Sequence, residues 1–431
     1  MNFNYDPLVF WNPWWSGEKE WLDAYPRETL NEIQRLFERK EILTISGVRR
    51  SGKTTILYLI IQSLLDNGIN PKNILHINLE DPAYKDNSIY SLYQKYLELV
   101  NPSGKIYLFL DEIQEVSDWQ REIRKLYDGV PQLKIILTGS NSSLLKGEYA
   151  RLLTGRTLFR EIYPFSFKEF VNIKGLAGSF QKHILIRKRT QIMHHFREYI
   201  ANGGYPEVVK EKDSKMKTLL LKDYYTSILT RDVLRRYPIR QVKKYEKASH
   251  YLISNIANSF SVKSLSSLLS INMHTLEEYI GFLEDVYLLF PVNHFSYSLK
   301  KQITYPRKIY CVDNGLINAV SFRFSEDIGK LLENLVFIEI KRRGYEYYYW
   351  KDIKECDFII KDDISIKDAI QVTFSLSKPD TAKRELEGLI SALKEFGLKR
   401  GIILTHNEFD TKKIDGKTIE VMPVWYWLLN G

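Results

Sequence analysis

The chain has 431 residues, 44% hydrophobic and 27% charged, which gives each of about two to four domains a core of its own. Two cysteines, Cys311 and Cys356, exclude a disulfide-built scaffold and a Cys-type zinc site and point to a reducing, cytoplasmic setting. No apolar run approaches the roughly 18 residues of a membrane span, and the start lacks the layout of a signal peptide, so no membrane partner is expected.

In chain order, Glu41–Ser46 reads as a short buried strand running into a glycine loop. Lys53–Leu65 then places Ile56, Leu59, Ile60 and Leu64 at helical spacing. Asn73–Leu79 reads as a second strand, Tyr90–Val100 as a helix, and Lys105–Leu110 and Leu133–Leu137 as further strands. Strands apolar on both faces and separated by helices predict an α/β fold around a parallel sheet covered on two sides. From about Phe165 to Arg240 the pattern is helical. A second helical stretch, Tyr245–Leu289, holds two short helices marked by Leu265, Leu268 and Leu269, then by Leu276, Tyr279, Ile280 and Leu283. From Pro291 to about Val312 the chain reads as extended, and a last α/β segment begins near Gly329.

The net charge of +9 is local: between Gln181 and His250, 17 Lys and Arg stand against 7 Asp and Glu. Such a block attracts DNA or RNA through phosphate neutralisation, and a solvated basic helix face has the same composition.

Gly47-Val-Arg-Arg-Ser-Gly-Lys-Thr54 fits G-x-x-x-x-G-K-[ST] between a strand and a helix, the context of a P-loop. In that role Gly47, Arg50, Ser51, Gly52, Lys53, Thr54 and Thr55 hold the phosphates of ATP, and the Thr54 hydroxyl ligates Mg²⁺. Such a site needs a carboxylate at the tip of a neighbouring strand. IYLFLDE supplies Asp111 for the ion and Glu112 to orient and deprotonate water, and the presence of Glu112 favours hydrolysis over mere binding. The tip of KIILTGSN offers Ser140 and Asn141 as γ-phosphate sensors. Arg151 and Arg156 are the choices for an arginine finger, from this subunit or a neighbour's; Arg49 and Arg50 are alternatively structural or partner contacts.

With these residues, the motifs NPWW, GVRRSGKTT, LDEIQEVSDW, LTGSNSSLL, GRTLFREIYPFSFKEF and GGYPEVV make the chain resemble the archaeal and bacterial AAA-type ATPases fused to a nuclease-like C-terminal domain. The resemblance runs over nearly the whole chain. It implies Lys53 and Thr54 on nucleotide and metal, Asp111 and Glu112 as the acidic pair, Asn141 as sensor and Arg156 as the family arginine. Gly204-Tyr205-Pro206 is similar to the GxP element of related signal-transduction ATPases, which puts Pro206 beside the nucleotide. The implied division is a P-loop core over 1–170, a helical lid over 171–235, a winged-helix-like unit over 236–325 and a restriction-nuclease-like α/β domain over 326–431.

Two features of the residues qualify that picture. The second helix of the winged-helix-like unit carries Glu277, Glu278, Glu284 and Asp285, which repel phosphate, so DNA contact falls to the basic block or to Lys300, Lys301, Arg307 and Lys308. The nuclease-like domain has Glu333 and Asp357 as metal ligands, but Gln371-Val-Thr373 replaces the element that should end in lysine, and no spacing demands Lys378 or Lys383 instead. The expected protein is therefore a Mg²⁺-dependent ATPase whose nucleotide state sets partner binding by its C-terminal half. The alternatives are an ATP-switched nucleic-acid-binding protein, a metal-dependent nuclease acting through Glu333, Asp357 and Gln371, or an assembly scaffold that forms homo-oligomers or docks a protein partner.

Overall fold

The computed structural model describes residues 6–18, 22–142, 152–176, 178, 180–321 and 328–430. They form two compact units, Met1–Ile162 and Tyr163–Gly431. Among the described residues no helix is long and apolar enough to cross a membrane.

In the first unit, β1 (Ile42–Gly47), β2 (Ile74–Asn78), β3 (Ile106–Asp111), β4 (Leu133–Gly139) and β5 (Thr157–Ile162) form one sheet in the order β2-β3-β4-β1-β5, every pair parallel. Successive side chains leave opposite faces of a strand, so each apolar run supplies two cores. Leu108, Leu110, Ile135 and Leu137 face the Ile89–Val100 and Trp119–Gly129 helices through Leu92, Tyr96, Ile123 and Leu126. Leu43, Ile45, Phe109 and Ile136 face Ile56 and Ile60 of the Lys53–Asp66 helix.

The strand order leaves β2 and β5 as edges. At β2 the NPWW segment covers the open ladder. Asn12 accepts from the His76 N–H at 2.7 Å and donates to the His76 carbonyl at 2.8 Å, and the indoles of Trp14 and Trp15 both donate to the Ile74 carbonyl. β5 was not legible in the sequence, because TLFREI interleaves Arg160 and Glu161 with its apolar residues, as a half-exposed edge strand allows. It lies so close to β1 that a Cβ on Gly47 would sit 2.0 Å from the Ile162 carbonyl oxygen.

The second unit begins with helices, among them Arg189–Asn202, Ser214–Ser227 and Val242–Ser254. Between the first two, Gly203 (φ 72°) and Gly204 meet two close neighbours: a Cβ on Gly203 would lie 1.8 Å from Asp313 Oδ1, and one on Gly204 2.3 Å from the Phe165 carbonyl oxygen. The paired short helices are Val262–Leu269 and Met273–Asp285; Leu265 and Leu269 are buried as expected, whereas Leu268 faces solvent. They adjoin an antiparallel sheet of β6 (Ser259–Phe260), β7 (Leu289–Val292) and β8 (Arg307–Cys311) in the order β6-β8-β7. The stretch from Pro291 to Val312 is thus extended only at its ends. Between them lies a Leu299–Thr304 helix N-capped by Ser298, whose exposed Leu299 and Ile303 carry no periodic signal of a buried face.

A six-stranded sheet closes the chain: β9 (Glu346–Lys351), β10 (Glu355–Asp362), β11 (Ser365–Val372), β12 (Arg400–Thr405), β13 (Asp410–Ile414) and β14 (Lys417–Pro423), ordered β13-β14-β12-β11-β10-β9. β9, β10 and β11 form an antiparallel meander. The Pro379–Glu395 helix then crosses over to put β12 parallel to β11, and its Leu389 and Leu393 pack on Cys356, Ile359, Ala369 and Ile403. The Ile328–Arg342 helix sets the Phe337 ring between those of Tyr310 and Tyr347.

Candidate active site

Because every strand of the first sheet runs the same way, the loops after β1, β3 and β4 share one edge, where ligands of open α/β sheets bind. The loop after β1 turns through Arg50 (φ 68°) and Gly52 (φ 94°), and Gly52 starts the Lys53–Asp66 helix without a side-chain cap. The first N–H groups of that helix are therefore left for an anion. Ser51 Oγ is fully buried and has no hydrogen-bond partner among the described residues. Thr55 follows in the first turn, half-buried.

Thr54 Oγ1 donates to Asp111 Oδ2 at 2.6 Å, which joins the helix start to the tip of β3. Thr138, at the end of β4, donates to Asp111 Oδ1 and accepts from the Glu112 N–H at 3.0 Å. That bond helps hold Glu112 in a left-handed conformation (φ 54°), which costs a non-glycine residue about 1 kcal/mol. Gln114 Nε2 grips Glu112 Oε2 at 2.5 Å, and Oε1 faces the Lys53 ammonium at 3.6 Å. Lys53 is buried and also points at the Val48 carbonyl, 3.4 Å away. Burial pushes Asp111 up to about 6, the Glu112 charge adds to this, and the two threonine hydroxyls and Lys53 oppose it. A hydroxyl and a carboxylate in contact are the hard oxygen donors that Mg²⁺ selects, and with the orphaned Ser51 hydroxyl they fit a Mg²⁺-nucleotide.

The structure thus brings Gly47, Arg50, Ser51, Gly52, Lys53, Thr54, Thr55, Asp111 and Glu112 together. Asn141 is at the same edge, its carbonyl accepting from Ser46 Oγ at 3.3 Å, with Ser140 buried beside it. Arg156 is not brought there. It immediately precedes β5, and its carbonyl bonds the N–H of Ile42 at the start of β1, about 17 Å of strand away from Gly47. Its guanidinium pairs with Asp128 at 3.1 Å, so within its own chain it does not reach the loop. Arg49 pairs with Glu80 at 2.9 Å, and Arg151 lies outside the described residues. Pro206 belongs to the second unit, where it opens the short Pro206–Lys210 helix; the preceding Gly204 N–H donates to Asp313 Oδ2 at 2.7 Å.

Two residues escaped the sequence. Thr138 was legible as part of a polar strand tip, but only strand register singles it out over Ser140 and Asn141. Arg27 carries no local signal, yet it is buried and its Nη1 holds the Ser51 carbonyl at 2.9 Å, bracing the loop from outside.

In the second unit Glu333 and Asp357 do converge, around an amine the sequence did not indicate. Lys308 Nζ, on β8, lies 2.8 Å from Glu333, 2.9 Å from Asp357 and 2.7 Å from Glu355. Gln371 Oε1 accepts from the Asp357 N–H at 3.2 Å, and its amide nitrogen donates to Glu385. Neither lysine weighed as a substitute enters: Lys378 precedes the Pro379–Glu395 helix, and exposed Lys383 faces Glu387. Burial opposes the charge on Lys308, but Asp357 and Glu333 hold its pKa well above the ordinary value. Lys308, being buried, is therefore unavailable to DNA, and Arg307 is committed to Glu277 at 2.8 Å. Elsewhere His194, His195 and Glu198 bring ligand atoms together, but Glu198 already accepts from Lys174 at 2.9 Å and Lys217 at 3.0 Å.

A family model described as an AAA domain matches residues 39–171, and two described as domains of unknown function, DUF8612 and DUF4143, match residues 193–327 and 328–427. The chain is 34% identical over 406 residues to the uncharacterized protein MJ1544 of Methanocaldococcus jannaschii, covering 90% of this chain and 88% of that one. It is 32% identical over 413 residues to an uncharacterized protein of Haemophilus influenzae, covering 93% and 98%. Among solved structures, the Aeropyrum pernix Orc1 protein in complex with DNA aligns at 11% identity and a TM-score of 0.29, over 71% of this chain and 95% of that one. A likeness at that score carries no functional weight.

Proposed function

This chain belongs to the family of MJ1544 and its Haemophilus influenzae relative, and residues 39–171 are its AAA domain, a nucleotide-binding ATPase module; from that premise we propose that it hydrolyses ATP with Mg²⁺. The observation that carries the reading is the meeting of Lys53, Thr54, Asp111 and Glu112 at one sheet edge. Thr54 and Asp111 hold Mg²⁺, which supplies positive charge to the phosphate oxygens. Lys53 binds the β- and γ-phosphates. Its move toward them frees the facing Glu112 carboxylate to orient water and take its proton. Asn141 senses the γ-phosphate, and Pro206 belongs to an element that responds to nucleotide. Arg156, at the far edge of its own sheet, acts as a finger only if a neighbouring subunit receives it.

Nucleotide state in the first unit sets the partner affinity of the second. Support for a winged-helix-like unit over 236–325 comes from the helices Val242–Ser254, Val262–Leu269 and Met273–Asp285 beside the β6-β8-β7 sheet. The mixed six-stranded sheet with its crossover helix supports a nuclease-like scaffold over 326–431. The basic block from Gln181 to His250 favours a nucleic acid as partner.

Steady-state phosphate release tests the proposal. Lys53→Ala abolishes it with loss of ATP binding, and Glu112→Gln slows it by about 10²–10³ while ATP still binds. Equal rates for both variants and wild type would refute it. Addition of single- or double-stranded DNA at low salt raises turnover if nucleic acid is the partner and leaves it unchanged if a protein is.

A further inference from the structure

The acidic cluster of the C-terminal sheet has the inventory of a divalent-metal site, and its centre is taken. Glu333 comes from the Ile328–Arg342 helix, Glu355 and Asp357 from β10, and one oxygen of each lies 2.7–2.9 Å from Lys308 Nζ. Further donors hold two of the three carboxylates. The Tyr310 hydroxyl donates to the same Glu333 oxygen at 2.6 Å, and Asp357 Oδ2 accepts from the Val372 N–H at 2.9 Å. Both ends of the Gln371 amide are engaged, so that residue has no oxygen to turn toward an ion. Lys308 itself is 1% exposed and stands on a different sheet, where the β6 and β7 ladders on either side fix its backbone.

We propose that the Lys308 ammonium stands in the place of a divalent cation among Glu333, Glu355 and Asp357, so that the cluster binds no metal until this one amine is removed. Glu355 Oε2 also faces the Lys351 ammonium at 3.7 Å, so two lysines already share the charge of the cluster. The lysine prevails because it is tethered and already desolvated, whereas an ion must shed water and displace it. The mouth of the cluster adds a further barrier. It opens on a cavity of about 540 Å³ also lined by Lys330, Lys351, Lys354 and Arg384 against Glu385, a surplus of positive charge that opposes cation entry. With the amine gone, the three oxygens surround a space that Ca²⁺, with ligands at about 2.3–2.6 Å, fills with less contraction than Mg²⁺ at about 2.0–2.1 Å.

The test uses the full chain without nucleotide, in an Asp111→Asn background that silences the P-loop site. Lys308→Met keeps the length of the side chain and removes its charge. The variant gains one Mn²⁺ site by electron paramagnetic resonance, and Ca²⁺ at about 100 times its Kd raises its Tm by about 5–10 °C. The parent gains neither. Adding Glu333→Gln to Lys308→Met abolishes both gains. If Lys308→Met folds and shows no metal-dependent rise, the proposal is wrong. If it does not fold, the parent decides: Mn²⁺ binding that Glu333→Gln removes would overturn the proposal, and identical titrations of parent and Glu333→Gln support it. Neither readout involves ATP, so failure here is distinct from failure of the ATPase assignment.

Discussion

Both units bury a lysine among carboxylates, and the two arrangements have opposite consequences. At the P-loop, Lys53 stands 3.6 Å from Glu112, and the hydrogen-bond donors to Asp111 are the hydroxyls of Thr54 and Thr138. Hydroxyls give way to a cation easily, and under the proposed function Thr54 would become a ligand to it. In the C-terminal sheet, Lys308 touches three carboxylates directly, Tyr310 shares its Glu333 oxygen, and the second Asp357 oxygen is tied to a backbone N–H. The lesson is that acidic residues alone do not make a metal site. The partners that hold them decide whether an ion is admitted.

Stability measurements break or sharpen this contrast. The largest effect is expected at Lys308, where Lys308→Met strands buried carboxylates and costs about 3–5 kcal/mol by denaturant midpoint. Lys53→Met costs clearly less, because its partner is farther away and the loop is arranged for ligand rather than for stability. Equal losses would erase the distinction between a structural and a functional lysine.

Asp313 provides a pH-dependent comparison within the second unit. Burial pushes it up to about 7, opposed by the N–H groups of Gly204, Gly315 and Leu316 and by Arg342. The unfolded carboxyl loses its proton near 3.8, so between about 4 and 7 the unfolded chain binds fewer protons than the folded one. This group therefore makes the fold less stable as pH rises through that window and contributes no further change above it. Asp313→Asn should remove a slope worth on the order of 4 kcal/mol, seen as a wild-type minus variant difference in Tm that vanishes toward pH 4. A difference that stays constant with pH contradicts the assignment.

Smaller effects follow at the two arginines. Arg27→Met removes a charged hydrogen bond to the Ser51 carbonyl and costs about 1.5–3 kcal/mol, with weaker ATP binding as the loop loses its brace. Arg156→Ala breaks a solvent-screened pair with Asp128 and leaves the denaturant midpoint nearly unchanged. If Arg156→Ala nonetheless halts turnover at high protein concentration, while a mixture with Glu112→Gln subunits restores it, the arginine serves a neighbour's site.

The sequence disclosed what is local in the chain. The P-loop, the acidic pair and the central strands are contiguous patterns whose meaning depends on a few neighbours. What stayed hidden depends on distant pairing. Thr138 acquires its role only from the register of β3 and β4, and Arg27 only from where its segment passes Ser51. Arg156 was assigned by its motif, but the polarity of a parallel sheet puts the start of β5 opposite the loop after β1. Lys308 lies 49 residues before Asp357 and on another sheet, so no spacing rule could connect them. Its place in the sequence, among other exposed-looking basic residues, marked it for DNA instead.

Diffraction from a crystal grown with Mn²⁺ and a nonhydrolysable ATP analogue tests the central claim most directly, because the ion's anomalous signal reports both carboxylate clusters at once. A peak is expected between Thr54 and Asp111 with the analogue's phosphates against Lys53, and none among Glu333, Glu355 and Asp357. A peak at the second cluster, or a P-loop without nucleotide at saturating analogue, would contradict it.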